Sequence, residues 1–187
     1  MNNPSVLAFA ASLRAESWNK KLLAVAAPQL QALGVTVDMF DLFAANIPMF
    51  NDDVLQKEIP AGVADLKARI NKASAVLIVT PEYNYSVPGV LKNVIDWCSR
   101  PPPTNPFKGK FTAHMGATPG SLGTYQSQGQ LRHILSIGVN AWVLPGLAFG
   151  MSHADKAFDA TGALTDEAAK KSLTSFLGRF AEELKGW

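Results

Sequence analysis

Three stretches of the chain carry side chains whose types and spacing could do chemistry. Ser12, Arg14, Ser17 and Asn19 fall in one short run, and hydroxyl, amide and guanidinium groups at that spacing can donate to phosphate oxygens, Arg14 through a fork that meets two at once. Pro81-Glu82-Tyr83-Asn84-Tyr85-Ser86-Val87-Pro88-Gly89 sets two phenol rings, an amide and a carboxylate between two prolines. Such a stiff surface suits a flat polar heterocycle. Thr118-Pro119-Gly120-Ser121-Leu122-Gly123-Thr124 holds two glycines that would let backbone come close to a ligand. Each stretch also has a plainer reading: Ser17 or Asn19 as a helix N-cap, Arg14 as a solvated side chain, tyrosines packed on a sheet, glycines serving a turn.

Chemistry elsewhere is sparse. A single cysteine, Cys98, excludes an internal disulfide framework. No arginine stands six positions beyond it, so it is expected to be a buried thiol at a helix end. Three scattered histidines, His114, His133 and His153, lack metal-ligand spacing, so no metal is expected. Neither Ser12 nor Ser86 sits in a Gly-x-Ser-x-Gly elbow, which leaves a serine hydrolase weakly supported. With no protein acid, base or nucleophile in view, catalysis would have to fall to a bound cofactor.

The elements that would position these stretches follow from hydrophobic period and punctuation. Val6 to Ala11, Val35 to Phe40, Ala75 to Thr80, Phe111 to Ala117 and Val139 to Val143 are expected strands, with the alternating second one suited to a sheet edge. Helices are expected from Leu22 to Leu33, over Ala61–Lys72, over Val90–Trp97 with Pro88 in its first turn, from Tyr125 to Ile137, and in a last helix capped by Thr165. Pro28 should kink or split the first of these, and Gly34 should end it. On the helix that follows the proline-bounded loop, Lys92, Asn93 and Asp96 should face away from the apolar stripe. Asp41 to Pro60 and Leu144 to Gly162 read as irregular loops, and Arg100 to Pro106 as a stiff extended spacer.

Strands alternating with helices over 187 residues predict one α/β domain, residues 1–187: a flavodoxin-like, doubly wound, five-stranded parallel sheet in the order 2-1-3-4-5. In that order the loops after strands one, three and four converge on a single crevice. One reads as a phosphate cradle and another as a seat for a flat ring, which together describe a mononucleotide. At 48% hydrophobic and 17% charged residues, the chain has apolar surface to spare for a homo-oligomer. A net charge of +2, with the basic residues dispersed, argues against nucleic acid or a membrane surface as a partner. The first apolar stretch is short and no membrane span is expected. A reducing cytoplasm fits the cysteine usage.

Pro81 to Trp97, as Pro-Glu-Tyr-Asn-Tyr-Ser-Val-Pro-Gly-Val-Leu-Lys-Asn-Val-Ile-Asp-Trp, closely resembles the signature of the NADPH-dependent FMN reductase family, which includes chromate, quinone and azo-dye reductases. Ser12-Leu13-Arg14 with Ser17 and Asn19 resembles that family's phosphate loop, although Ala11 stands where members commonly have glycine. The resemblance implies that Ser12, Arg14, Ser17 and Asn19 hold the FMN phosphate, that Pro81, Glu82, Tyr83 and Asn84 line the isoalloxazine with help from Ser86, and that Thr118 and Gly120 complete the wall. Arg100 resembles a family arginine near either the nicotinamide or the subunit contact. It further implies NADPH or NADH as hydride donor, a small-molecule electron acceptor such as a quinone, an azo compound, chromate or free flavin, and a homodimer or homotetramer. The alternative is a flavodoxin-like electron carrier without NAD(P)H turnover of its own, which the near-neutral charge disfavours.

Overall fold

A computed structural model describes residues 3–187. In chain order the elements are β1 Ser5–Ala10, α1 Trp18–Ala32, β2 Thr36–Met39, α2 Asp52–Leu55, α3 Ala61–Lys72, β3 Ala75–Val79, α4 Gly89–Cys98, β4 Phe111–Ala117, α5 Tyr125–His133, β5 Ala148–Met151, α6 Ala154–Ala157 and α7 Glu167–Lys185. The strands form one sheet in the order β2-β1-β3-β4-β5, all neighbours parallel. This is the flavodoxin-like arrangement the sequence predicts, with the order reversing between β1 and β3.

Successive side chains of β1 alternate between two cores, Val6, Ala8 and Ala10 on one face and Leu7, Phe9 and Ala11 on the other. Leu22, Leu23, Ala26 and Leu30 of α1 and Leu173, Phe176, Leu177 and Phe180 of α7 cover the first face. Leu66 and Ile70 of α3, Leu91, Val94 and Ile95 of α4, and Leu131 of α5 cover the second. Every residue of β3 and β4 is buried, as central parallel strands covered on both faces must be. β2 is largely exposed and lies at the edge.

Several local expectations are overturned. The fifth strand is Ala148–Met151, not Val139 to Val143, of which only Trp142 joins the sheet by a single bridge to Phe111. Asn140 stands at φ +56°, and the chain forms a ladder only from Ala148, beside His114 to Ala117. The true strand, Ala-Phe-Gly-Met, is short and contains a glycine, so it gives a weak signal. Leu144 to Gly162 is therefore not all loop. Pro28 does not split α1, because Ala24, whose carbonyl loses its partner, lies on the exposed face where water can replace it. Gly34, at φ +82°, does end that helix. The cap of α7 is Asp166, whose Oδ1 accepts from Ala169 N at 2.7 Å, while Thr165 donates to Ala157 O. A 3-10 turn, Pro102–Thr104, interrupts the expected spacer.

Asn93 does not face solvent. It is buried, donates to Pro48 O at 2.8 Å and accepts from Phe50 N at 2.6 Å, and Trp97 Nε1 donates to the same Pro48 carbonyl at 2.8 Å. These bonds, with Phe50 packed edge-on to the Trp97 ring at 5.1 Å, strap the 41–60 segment to α4. Cys98 is fully buried, and burial pushes its thiol up to about 12, which leaves it protonated and unreactive at neutral pH.

Candidate active site

The first and third strands end side by side. Ala10 pairs with Val79 in the ladder, and Ala11 N donates to Val79 O at 2.8 Å. The loops that begin at Ser12 and at Pro81 therefore leave the sheet from adjacent points at the carboxyl ends of the strands. The loop after β4 joins them, since Thr80 N donates to Met115 O at 2.8 Å and Thr118 N to Met151 O at 3.0 Å.

In the first loop Ser12 is buried and Arg14 is exposed. Arg14 makes no ion pair among the described residues. Ser17 is the N-cap of α1, accepting from Asn19 N at 3.2 Å. Asn19 turns inward: its amide donates to Ala117 O at 3.0 Å and accepts from Ala117 N at 2.9 Å. Its side chain fixes the start of α1 to the end of β4, so Ser17 and Asn19 already hold partners within the fold while Arg14 stays exposed.

The second loop is a tight turn. Tyr83 N donates to Ser86 O and Ser86 N to Tyr83 O, with Asn84 at φ +51° and Tyr85 at φ +61° between them. Two successive left-handed residues define a type I′ turn, which ordinarily selects asparagine or glycine. Asn84 suits its place. Tyr85 is strained there, and strain of this kind gathers at functional sites. Both tyrosine rings are exposed, 47% for Tyr83 and 67% for Tyr85, so neither packs on the sheet.

Helix α5 holds this turn in place. Glu82 Oε2 accepts from Gln126 N at 2.9 Å and Ser127 N at 3.1 Å, capping the positive end of the helix. Ser127 Oγ donates to Pro81 O at 2.9 Å, Gln130 Nε2 donates to Tyr85 O at 2.9 Å, and Ser86 Oγ donates to Gln130 Oε1 at 2.7 Å. The sequence reading missed Ser127 and Gln130. Their only signal is spacing, three residues apart on one helix face, and nothing in the sequence says that this face meets the second loop.

The third loop packs beneath. A Cβ on Gly116 would collide with Thr124 Oγ1 and Thr80 O, so only glycine admits this approach. Thr124 Oγ1 accepts from Gln128 Nε2 at 2.8 Å, and that nitrogen also donates to Phe149 O at 3.0 Å. Two acceptors on one side fix the amide orientation, so Gln128 Oε1 faces His114 Nδ1 at 2.9 Å and His114 must carry its proton there. Burial holds the His114 imidazole down to about 4, with the nearby Arg132 charge adding to the effect against the Gln128 bond. It is neutral at physiological pH.

Glu82, Asn84, Tyr85, Thr118, Gly120 and Leu122 line an open cleft of about 360 Å³ between the second and third loops. Arg100 lies elsewhere. It follows α4, a ten-residue helix about 15 Å long whose opposite end carries the second loop, and Lys67 Nζ donates to its carbonyl at 2.7 Å. Among the described residues neither Ser12 nor Ser86 bonds a histidine.

The profile of the NADPH-dependent FMN reductases matches residues 4–156. The chain belongs to that family. Membership makes it an oxidoreductase that uses FMN and a nicotinamide nucleotide. An NAD(P)H-dependent FMN reductase of Pseudomonas aeruginosa is 40% identical over 168 residues, covering 90% of this chain and 88% of its own. A quinone reductase of Escherichia coli K12 is 37% identical over 95% of this chain and 93% of its own. Among solved structures, FerB, a flavoenzyme NAD(P)H:(acceptor) oxidoreductase of Paracoccus denitrificans, superposes with a TM-score of 0.84 at 32% identity, covering 98% of each chain.

Proposed function

We propose that the crevice above β1, β3 and β4 seats FMN and that this oxidoreductase passes hydride from NAD(P)H to small oxidised acceptors, quinones first among them. The observation that carries this is the bond from Ala11 N to Val79 O, which starts the Ser12 and Pro81 loops from adjacent residues. An exposed Arg14 fork, the Ser12 hydroxyl and the N–H groups at the start of α1 that Ser17 does not occupy suit a phosphate. The strained turn, Glu82, Thr118 and Gly120 suit the edge and face of a flat ring. Ser17 and Asn19 would act by holding this cradle in shape, and Ser86 by bonding Gln130. Bound FMN supplies the acceptance and redelivery of hydride, for which no protein acid or base is needed. The chain's own part is to fix the ring, offer backbone donors at its edge and leave one face open through Tyr83 and Tyr85.

Quinones are favoured because one relative, 34% identical over 91% of this chain, is a 2-hydroxy-1,4-benzoquinone reductase of Burkholderia sp.. Azo dyes, chromate and free flavin belong to the same proposal on the family resemblance. A homo-oligomer also belongs to it, supported by Phe43 and Met49, exposed by 64% and 76% on the 41–60 strap, with Arg100 at a subunit contact. No helix among the described residues is long and apolar enough to cross a membrane. Action in the reducing cytoplasm is proposed on the buried, unpaired Cys98.

The test is the visible spectrum of purified protein before and after anaerobic NADPH. Flavin bands that bleach on addition are expected, and parallel initial-rate lines against varied quinone should follow. Flavin that stays oxidised would make the chain an electron carrier, and protein that stays colourless with added FMN would sink the proposal.

A further inference from the structure

The face of α5 turned away from the flavin-facing turn is built unlike an ordinary helix face. Tyr125, Gln128, Gly129 and Arg132 recur at helical spacing and share one stripe. With Ser121 and Gly150 they line a second cleft of about 400 Å³ between α5 and β5. That cleft meets the first along Ser121 and Leu122, which line both.

Among the described residues two buried side-chain atoms lack a hydrogen-bond partner, His114 Nε2 and Arg132 Nε. Of the two only Arg132 lines the cleft, and none of the ion pairs among the described residues includes it. No carboxylate among the described residues lines the cleft. Gln128 cannot serve it, because its amide is consumed by Thr124, Phe149 and His114. The neutral His114 ring supplies no counter-charge. A guanidinium with a desolvated, unmet donor costs stability, so the group calls for a partner that the described chain does not supply. Gly129 leaves open space on the helix side of the cleft, while Gly123 and Gly150 pack backbone against backbone at its floor. Tyr125, 75% exposed at the cleft mouth, offers a ring face.

We propose that this cleft takes the adenosine end of the hydride donor, with Arg132 gripping the 2′-phosphate that distinguishes NADPH from NADH and Tyr125 stacking on adenine. The fork of Arg132 matches a phosphate and would leave the NADH ribose, which has only a hydroxyl, much weaker. The shared rim of Ser121 and Leu122 gives the nicotinamide a path to the flavin-facing cleft. That last step rests on the flavin assignment above, whereas the anion site itself does not.

Calorimetry of the purified full-length protein with adenosine 2′,5′-bisphosphate and with 5′-AMP tests the site directly. The bisphosphate should bind about tenfold or more tightly than AMP, the factor of one charge-assisted contact, and Arg132→Gln should erase that difference. In steady-state kinetics the same substitution should lower the NADPH-to-NADH ratio of kcat/KM about tenfold or more. Arg132→Lys, which keeps the charge and loses the fork, should fall between, and it supplies the reading if Arg132→Gln unfolds. Equal binding of the two nucleotides to the unaltered protein, or a ratio unmoved by both substitutions, overturns the proposal. A protein that binds no FMN would end the kinetic assay yet leave the calorimetric comparison standing, so the two failures are distinguishable.

Discussion

The loop after β1 and the loop after β3 leave the sheet side by side and are built in opposite ways. The first keeps Arg14 in solvent without an ion pair. The second is tied to α5 through Glu82, Pro81, Tyr85 and Ser86. The first spends Ser17 and Asn19 on the fold and keeps the Arg14 fork for a ligand. The second spends nearly all of it on holding a strained turn whose rings stay exposed. A phosphate can be met by a flexible fork, whereas a flat ring needs a surface fixed before it arrives.

If this contrast is right, damage beneath the second loop should cost stability and damage in the first should cost only ligand. The largest effect is expected from pH. Above pH 6.5 His114 is neutral both folded and unfolded; below it the unfolded chain takes up a proton that the folded chain refuses until about pH 4. Stability should fall across that window by on the order of 3 kcal/mol and level off beneath it. Denaturant midpoints at pH 7 and 4 check this, with His114→Gln flattening the dependence.

Gly116→Ala should cost about 2 to 3 kcal/mol by forcing Thr124 away from Thr80. Thermal melting of protein freed of flavin would break the contrast if this variant matched the parent. Arg14→Ala should behave in the opposite sense: FMN retention weaker by about 1.5 to 3 kcal/mol, with the melting point of flavin-free protein unmoved. Fluorescence titration with FMN measures the first half, and an unchanged affinity would return Arg14 to the role of a solvated side chain. Glu82→Ala should sharpen the contrast with the smallest effect, about 1 kcal/mol of stability from the uncapped α5, read from the same melts.

How far the sequence could be read differs between these regions. Strand content, the order 2-1-3-4-5 and the convergence of three loops were all legible, because hydrophobic period and parallel crossovers leave few topologies. The fifth strand was misplaced because Val139 to Val143 looks more strand-like than Ala148–Met151, although only Trp142 of it bridges the sheet. Asn19 and Asn93 were read as local groups, a phosphate donor and a solvated helix residue. Their partners, Ala117 and the Pro48–Phe50 backbone, lie 98 and about 45 residues away. No local pattern reports a bond across that distance.

By itself, then, the sequence determined the sheet, its loops and the family, since these follow from short-range period, turn chemistry and one long signature. Only the tertiary structure decided which polar side chains remain free. A serine, asparagine or arginine is a donor in any sequence, and whether that donor is already satisfied depends on what the fold brings within 3 Å of it. That is why Asn19 became part of the wall, Arg14 stayed open, and Arg132, an unremarked helix residue in the chain, emerged as the group still waiting for an anion.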